Sequence, residues 1–284
     1  MGHHYVPQEY LRGFADPDNS TKIWMYDKRS RQFNHPFIKS VGQEVRYYNE
    51  TTERELSKIV EGPAHRVLQK LRREHKINNT ERARLALYIG TMLMRVPSRR
   101  RRAFEMLPRV LEDTINRITN QVAQWAGSAT AKPELVSRRF AELEGAREKF
   151  RNEPPAEIIE HIRAPWPSEQ VLALVSAMNW RIVSSGESLF FLTSDNPVYF
   201  FEAYGLGSAE SELTFPLASE LALLASWQGI PHATIFMKAK PALVKEVNRR
   251  VASGAERFLF CRAQKGWVDE IADKQNPYLN RIQW

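Results

Sequence analysis

Well past its midpoint the chain changes period, and that change limits its fold more than any other feature. From 52 to 178 the apolar residues recur mainly at three- and four-residue intervals, the spacing of helices with one buried face. Leu56, Ile59, Val60, Val67, Leu68 and Leu71 mark the first such run, over 52–75. Gly62-Pro63 inside it predicts a break or kink, because proline removes a helical donor. Thr80 followed by Glu81 reads as the cap of the next helix, which runs through Leu85, Ile89, Met92 and Leu93. Pro97 should end or kink that helix; two more span 103–125 and 133–151, and a short one starts at Ser168 and ends near Met178. After 179 come short segments rich in Val, Ile, Phe and Leu: 179–183, 188–192, 198–201, 212–215, 220–226, 234–237 and 257–262. Gly, Ser, Asn and Pro separate them, which predicts a mainly antiparallel sheet with one helix inserted at 241–251. Near the N-terminus, 22–27 and 45–48 read as short strands, and Gln32-Phe33 as a hairpin partner to the first. Helices segregated from strands predict an α+β fold. The expectation is one integrated domain over 1–284, helical over about 50–178 and sheet-rich over 179–284.

Charge is as uneven as periodicity. Residues 1–150 hold 28 Lys and Arg against 18 Asp and Glu, a net +10; residues 151–284 hold 13 against 15, a net −2. A one-sided basic excess points to an anionic partner, nucleic acid first among them, with a solvated helical surface as the alternative. No run of about 18 apolar residues is present, so no membrane helix is expected. The start, MGHHYVPQEYLRGF, has no basic and apolar leader, and Val6 breaks the myristoylation pattern after Gly2. A lone cysteine, Cys261, fits a reducing, cytoplasmic setting and reads as core.

Three constellations carry candidate chemistry. His3 and His4 open a segment anchored by Tyr5, Val6, Leu11 and Phe14. Imidazoles serve acid–base work, metal ligation or phosphate contact, and in an extended segment the two would face opposite ways. Thr193-Ser194-Asp195-Asn196-Pro197 crowds hydroxyl, carboxylate and amide groups into one turn; an Asx-type turn satisfying its own backbone is the plain alternative. Arg95 ends an apolar stretch, so it should meet a carboxylate or an anionic ligand. Arg99, Arg100, Arg101 and Arg102 follow as a cationic cluster suited to phosphate. His35, His65, His75, His161 and His232 show no metal-ligand spacing. The phosphate-loop, dinucleotide and nucleophile-elbow motifs are missing, which removes support for those enzyme classes.

HHYVPQEYLRGFA at 3–15, Arg95-x-Pro97 and FLTSDNPV at 191–198 together resemble domain-of-unknown-function family 4238. Phe215-Pro216-Leu217 and Asn248 resemble it as well. The resemblance spans nearly the whole chain. It implies that the double histidine is native rather than a tag, and that the two motifs share one domain and one site. It also implies an acidic partner on the first helix, a place that either Glu55 or Glu61 fills; it implies no reaction.

The leading functional expectation is a nuclease-like or phosphodiesterase-like hydrolase. His3, His4 and Asp195 would be catalytic, and Gln8, Arg12, Arg95, Arg99, Ser194 and Asn196 would hold substrate. The cofactor stays open, a divalent metal being compatible. The rivals are a non-enzymatic module binding nucleic acid or protein, and a hydrolase or transferase on a small phosphorylated metabolite.

Overall fold

The computed structural model describes residues 2–186, 189–229 and 234–273. Ser188, which opens one predicted strand, and His232 lie outside the described residues. In chain order the elements begin with β1 (Gly2–His4), α1 (Gln8–Leu11), β2 (Trp24–Asp27), β3 (Gln32–Asn34) and β4 (Gln43–Val45). Then come α2 (Glu50–Glu55), a π-helical turn (Leu56–Glu61), α3 (Gly62–Arg72) and α4 (Asn79–Met94). α5 (Pro97–Ala126), α6 (Pro133–Asn152), α7 (Ala156–Arg163) and α8 (Glu169–Ala177) follow. The rest is β5 (Asn179–Ser184), β6 (Thr193–Ser194), β7 (Tyr199–Phe200), β8 (Glu212–Ala218), β9 (Leu221–Ser226), β10 (Thr234–Lys238), α9 (Pro241–Gly254), β11 (Phe258–Cys261) and α10 (Gly266–Asp273). The protein is α+β. It forms two compact units, one from residues up to Val96 and from Pro165 onward, the other from Pro97–Ala164.

In the first unit, one sheet has the order β10-β5-β9-β8-β7; β10 runs parallel to β5 and every other pair is antiparallel. Strand alternation sorts its side chains onto two faces. Trp180, Ile182, Leu213, Phe215, Leu217 and Leu223 join a core with residues of α1, α3 and α4. Val183, Ala222 and Leu224 pack with Val244 and Val247 of α9 on the opposite face. Each fully buried large side chain here contributes about 1.5–3 kcal/mol through lost water contact. A second sheet, β3-β2-β11-β6, is antiparallel throughout, and β1 pairs with β4 as a two-stranded ribbon.

Several local expectations are corrected, each for a stated reason. Gly62-Pro63 does not interrupt the helix. The π turn immediately before it widens the spiral, which accommodates the missing proline donor. Asn78, not Thr80, caps α4, in a reciprocal box with Glu81: Asn78 Oδ1 accepts the Glu81 N–H at 2.9 Å, and Glu81 Oε2 accepts the Asn78 N–H at 3.0 Å. Pro97 does follow the end of α4, as expected, and it also opens α5 six residues before the expected start, where its missing donor is free of cost. Residues 189–192 are not a strand. Their backbone is paired instead by the Asn248 amide, which accepts from Leu192 N–H at 2.9 Å and donates to Phe190 O at 2.8 Å. Residues 46–48 leave β4 because Arg46 takes a left-handed φ of 54°. Pro216 sits inside β8, tolerated by the register shift between Pro216 and Ala218.

Candidate functional site

The N-terminal segment is docked into the core of the first unit. Tyr5, Val6, Tyr10, Leu11 and Phe14 are all buried. The N–H groups of Tyr5 and Val6 both donate to Gly42 O, at 2.8 and 3.1 Å. Gly42 has a φ of +63°, and a Cβ there would stand 3.1 Å from Val6 Cβ, so glycine is required at this close approach. In the β1–β4 ribbon His3 faces Glu44 and His4 faces Gln43, so the two rings point to opposite sides.

His3 is buried. Its Nδ1 accepts the Tyr48 N–H at 3.0 Å, which leaves the neutral ring's proton on Nε2. The ring stacks on Tyr48 with centroids 6.4 Å apart. His4 is half-buried, its Nε2 3.3 Å from Lys39 O. Burial pulls its pKa below the ordinary histidine value, although the Lys39 carbonyl and Glu61 act the other way.

Arg95 anchors this region. Its side chain is fully buried, and Nη1 donates to Glu61 Oε1 at 2.6 Å while Nη2 donates to the His4 carbonyl. Burial opposes the charge, but Glu61 and the neighbouring Tyr48 outweigh it, and the guanidinium pKa is raised. The Arg95 carbonyl accepts from Tyr47 Oη at 2.8 Å and from Tyr48 Oη at 3.4 Å. The carboxylate partner is therefore Glu61, on the π turn; Glu55 is exposed.

Among the described residues, three buried polar atoms near this pair have no hydrogen-bond partner: Glu53 Oε2, Thr91 Oγ1 and Arg95 Nε. Glu53 stands out among them. Burial raises its pKa, Arg95 and His3 pull against that rise, and Glu61 adds to it. Glu53 lies on α2 and was not among the acidic positions, Glu55 and Glu61, that the family resemblance put forward. No pattern in the sequence distinguishes it, because its partners come from β1, the π turn and α4.

The second motif is committed to the backbone. Asp195 is buried; its Oδ1 accepts from Glu256 N–H at 2.9 Å, and its Oδ2 from Arg257 N–H at 2.7 Å and Phe258 N–H at 2.9 Å. Burial still pushes its carboxyl up to about 6 against these donors. Ser194 Oγ donates to Asn196 O at 2.8 Å and accepts the Asn196 N–H at 3.1 Å, while Asn196 Nδ2 donates to Gly254 O at 3.0 Å. The two motifs meet through Tyr10, whose hydroxyl lies 2.7 Å from Thr193 Oγ1 and donates to Pro216 O at 2.8 Å. Arg72 Nη2 donates to Leu217 O at 2.7 Å.

The remaining candidates are scattered. Gln8 is half-buried on α1, and Arg12 is exposed and paired with Glu9 at 2.9 Å. Arg99 is exposed on the first turn of α5, in the second unit. His35 pairs with Asp16 at 2.8 Å and stacks on Trp24. Cys261 is buried, and burial pushes its thiol up to about 12, as a core residue requires. Among the described residues, no three His, Cys, Asp or Glu side chains are grouped to hold a metal ion. No helix among them is long and apolar enough to cross a membrane.

These contacts tie the N-terminal histidine segment, Arg95, the TSDNP turn, Pro216, Leu217 and Asn248 into one framework, and a family model spans all of them, matching residues 2–265. The chain belongs to the family described as Protein of unknown function (DUF4238). No curated protein and no solved structure matches it. Within this DUF4238 chain the motif residues fall into two groups. Tyr10, Thr193, Asp195, Asn196 and Asn248 bind backbone or one another, whereas His3, Glu53, Glu61 and Arg95 gather ionisable groups in one place.

Proposed function

We propose that the protein is a nuclease-like phosphodiester hydrolase whose reacting group is Glu53. The observation that supports this is the Glu53 carboxyl itself, half-buried, its pKa raised, with a buried oxygen left unpaired beside His3 and the Arg95–Glu61 ion pair. A carboxyl held out of water and near a histidine of fixed tautomer is suited to general-base work. In this reading Glu53 takes a proton from an attacking water, the water oxygen bonds to phosphorus, the ester P–O bond breaks, and Glu53 returns the proton to the leaving oxygen. His3 Nε2–H donates to the charge that develops on phosphate. Arg95 and Glu61 are positioning residues, since their charges are spent on each other and on the His4 carbonyl.

The test is Glu53→Gln, assayed on single-stranded and duplex oligonucleotides with and without Mg2+. Cleavage should fall at least ~100-fold, the usual scale of general-base loss. The stability of the same variant carries a sign. A carboxyl whose folded pKa is raised adds stability below its unfolded value and loses it as pH rises through the folded one. Glu53→Gln should therefore melt at or above the parent's temperature at pH 7, and the difference should vanish near pH 4. Unchanged cleavage would remove Glu53 from the chemistry.

A second reading is a nucleic-acid-binding module without catalysis. Its support is that Ser194, Asp195 and Asn196 are consumed by the fold. It predicts steeply salt-dependent oligonucleotide binding and no product with any variant.

A further inference from the structure

α2, the π turn and α3 form one continuous helix from Glu50 to Arg72, about 35 Å long at 1.5 Å per residue. Arg54, Lys58, Arg66 and Lys70 recur along it at intervals of four and eight, and Arg73 follows at its C-cap. The eight-residue gap takes in the second half of the widened π turn, so the four helical cations keep to one side of the helix, with Arg73 at its end. Four of them, Arg54, Lys58, Arg66 and Arg73, are exposed; Lys70 is tied to Glu81 at 2.6 Å.

This line differs from the other basic helices. In the second unit Arg101, Arg109, Arg138, Arg139 and Arg147 each pair with a carboxylate three or four residues away on their own helix, whereas among the described residues Glu50 and Glu55 hold that spacing to Arg54 and Lys58 without pairing. Along α2–α3, Glu50, Glu55 and Glu74 are exposed as well. Among the described residues, none of them comes within ion-pair distance of Arg54, Lys58, Arg66 or Arg73. Like charges four residues apart destabilise a helix, so the line gains from an external anion.

We infer that this line is the track for a nucleic-acid strand, and that it, rather than the Arg99–Arg102 cluster, carries the strand past the reacting carboxyl. The proposal rests on the hydrolase reading for what happens at Glu53, but not for binding. Its shape argues for the occupant: cations repeating over tens of ångströms complement a chain of regularly spaced phosphates. Its position argues for the coupling, since Glu53 lies on this same helix, one step of about 1.5 Å before Arg54 and about 100° round the axis from it, so a strand held on the line passes the edge of the half-buried Glu53 site.

The test uses full-length Glu53→Gln protein, in chelator, titrated with labelled single-stranded and duplex oligonucleotides at several salt concentrations. Adding R54Q, K58Q, R66Q and R73Q together should weaken binding at least ~10-fold. It should also flatten the plot of log K against log salt by about 3, at roughly 0.7–0.9 per phosphate contact. K58Q or R66Q alone should flatten it by about 0.8, which keeps the test readable should the quadruple variant not fold. R138Q with R139Q, taken from α6, should leave the slope intact. Unchanged binding in the line variants overturns the proposal. So does failure of the Glu53→Gln protein to bind any oligonucleotide, or tighter binding to phosphatidylserine vesicles. The two proposals fail separately: binding weakened by the line substitutions together with undiminished Glu53→Gln cleavage removes the carboxyl but keeps the track, whereas binding unmoved by those substitutions together with lost Glu53→Gln cleavage keeps the carboxyl but removes the track.

Discussion

Asp195 illustrates what a single residue's surroundings decide. Its carboxylate accepts three backbone N–H groups from 256–258, which ties the TSDNP turn to the start of β11. Asparagine there keeps the shape but aims an amide N–H at a backbone donor. Asp195→Asn should therefore cost about 1–3 kcal/mol in urea unfolding, the price of one unsatisfied buried donor. Burial raises its pKa to about 6 from 3.8, so this group favours the fold below about 4 and loses that contribution as pH rises through about 6. The pH slope of parent stability over that window should shrink in Asp195→Asn. Full stability with lost cleavage would instead place Asp195 in the chemistry. Arg95 is the complementary case. Its need for a carboxylate was legible, because a buried unpaired guanidinium is costly. Its choice of Glu61 over Glu55 was not, because the π turn shifts every later position around the helix axis.

At the scale of elements, periodicity located the long helices and most strands. α6, α8 and β5 lie within a residue or two of where spacing put them. In two places side chains from elsewhere took over backbone groups that a strand was expected to satisfy. Asn248 replaces strand pairing at 189–192, and the His3 ring takes the Tyr48 N–H just past β4. The cap of α4 offers an element-scale test. Asn78→Ala removes an acceptor from a reciprocal box and should cost about 1 kcal/mol, whereas Thr80→Ala, beyond the cap, should stay within about 0.5 kcal/mol. Urea midpoints of the two variants separate these outcomes.

For the whole molecule, residues 2–14 are a structural part of the first unit. Tyr10, Leu11 and Phe14 are almost wholly inaccessible, and Tyr10 bonds across to Thr193 and Pro216. Deleting residues 2–14 should abolish cooperative unfolding and leave the chain insoluble on expression; a well-folded truncation would show the segment to be dispensable. By itself the sequence determined the α+β class, the lack of any apolar run long enough for a membrane helix, and the family through its N-terminal and TSDNP segments. Those follow from local period, hydropathy and residue order, which a chain carries without being folded. Only the tertiary structure decided which of those residues are occupied by the backbone and which carboxyl is left over. Glu53 is singled out by groups from β1, the π turn and α4, and electrostatic coupling across such distances in sequence exists only once packing has brought the charges together and excluded water from between them.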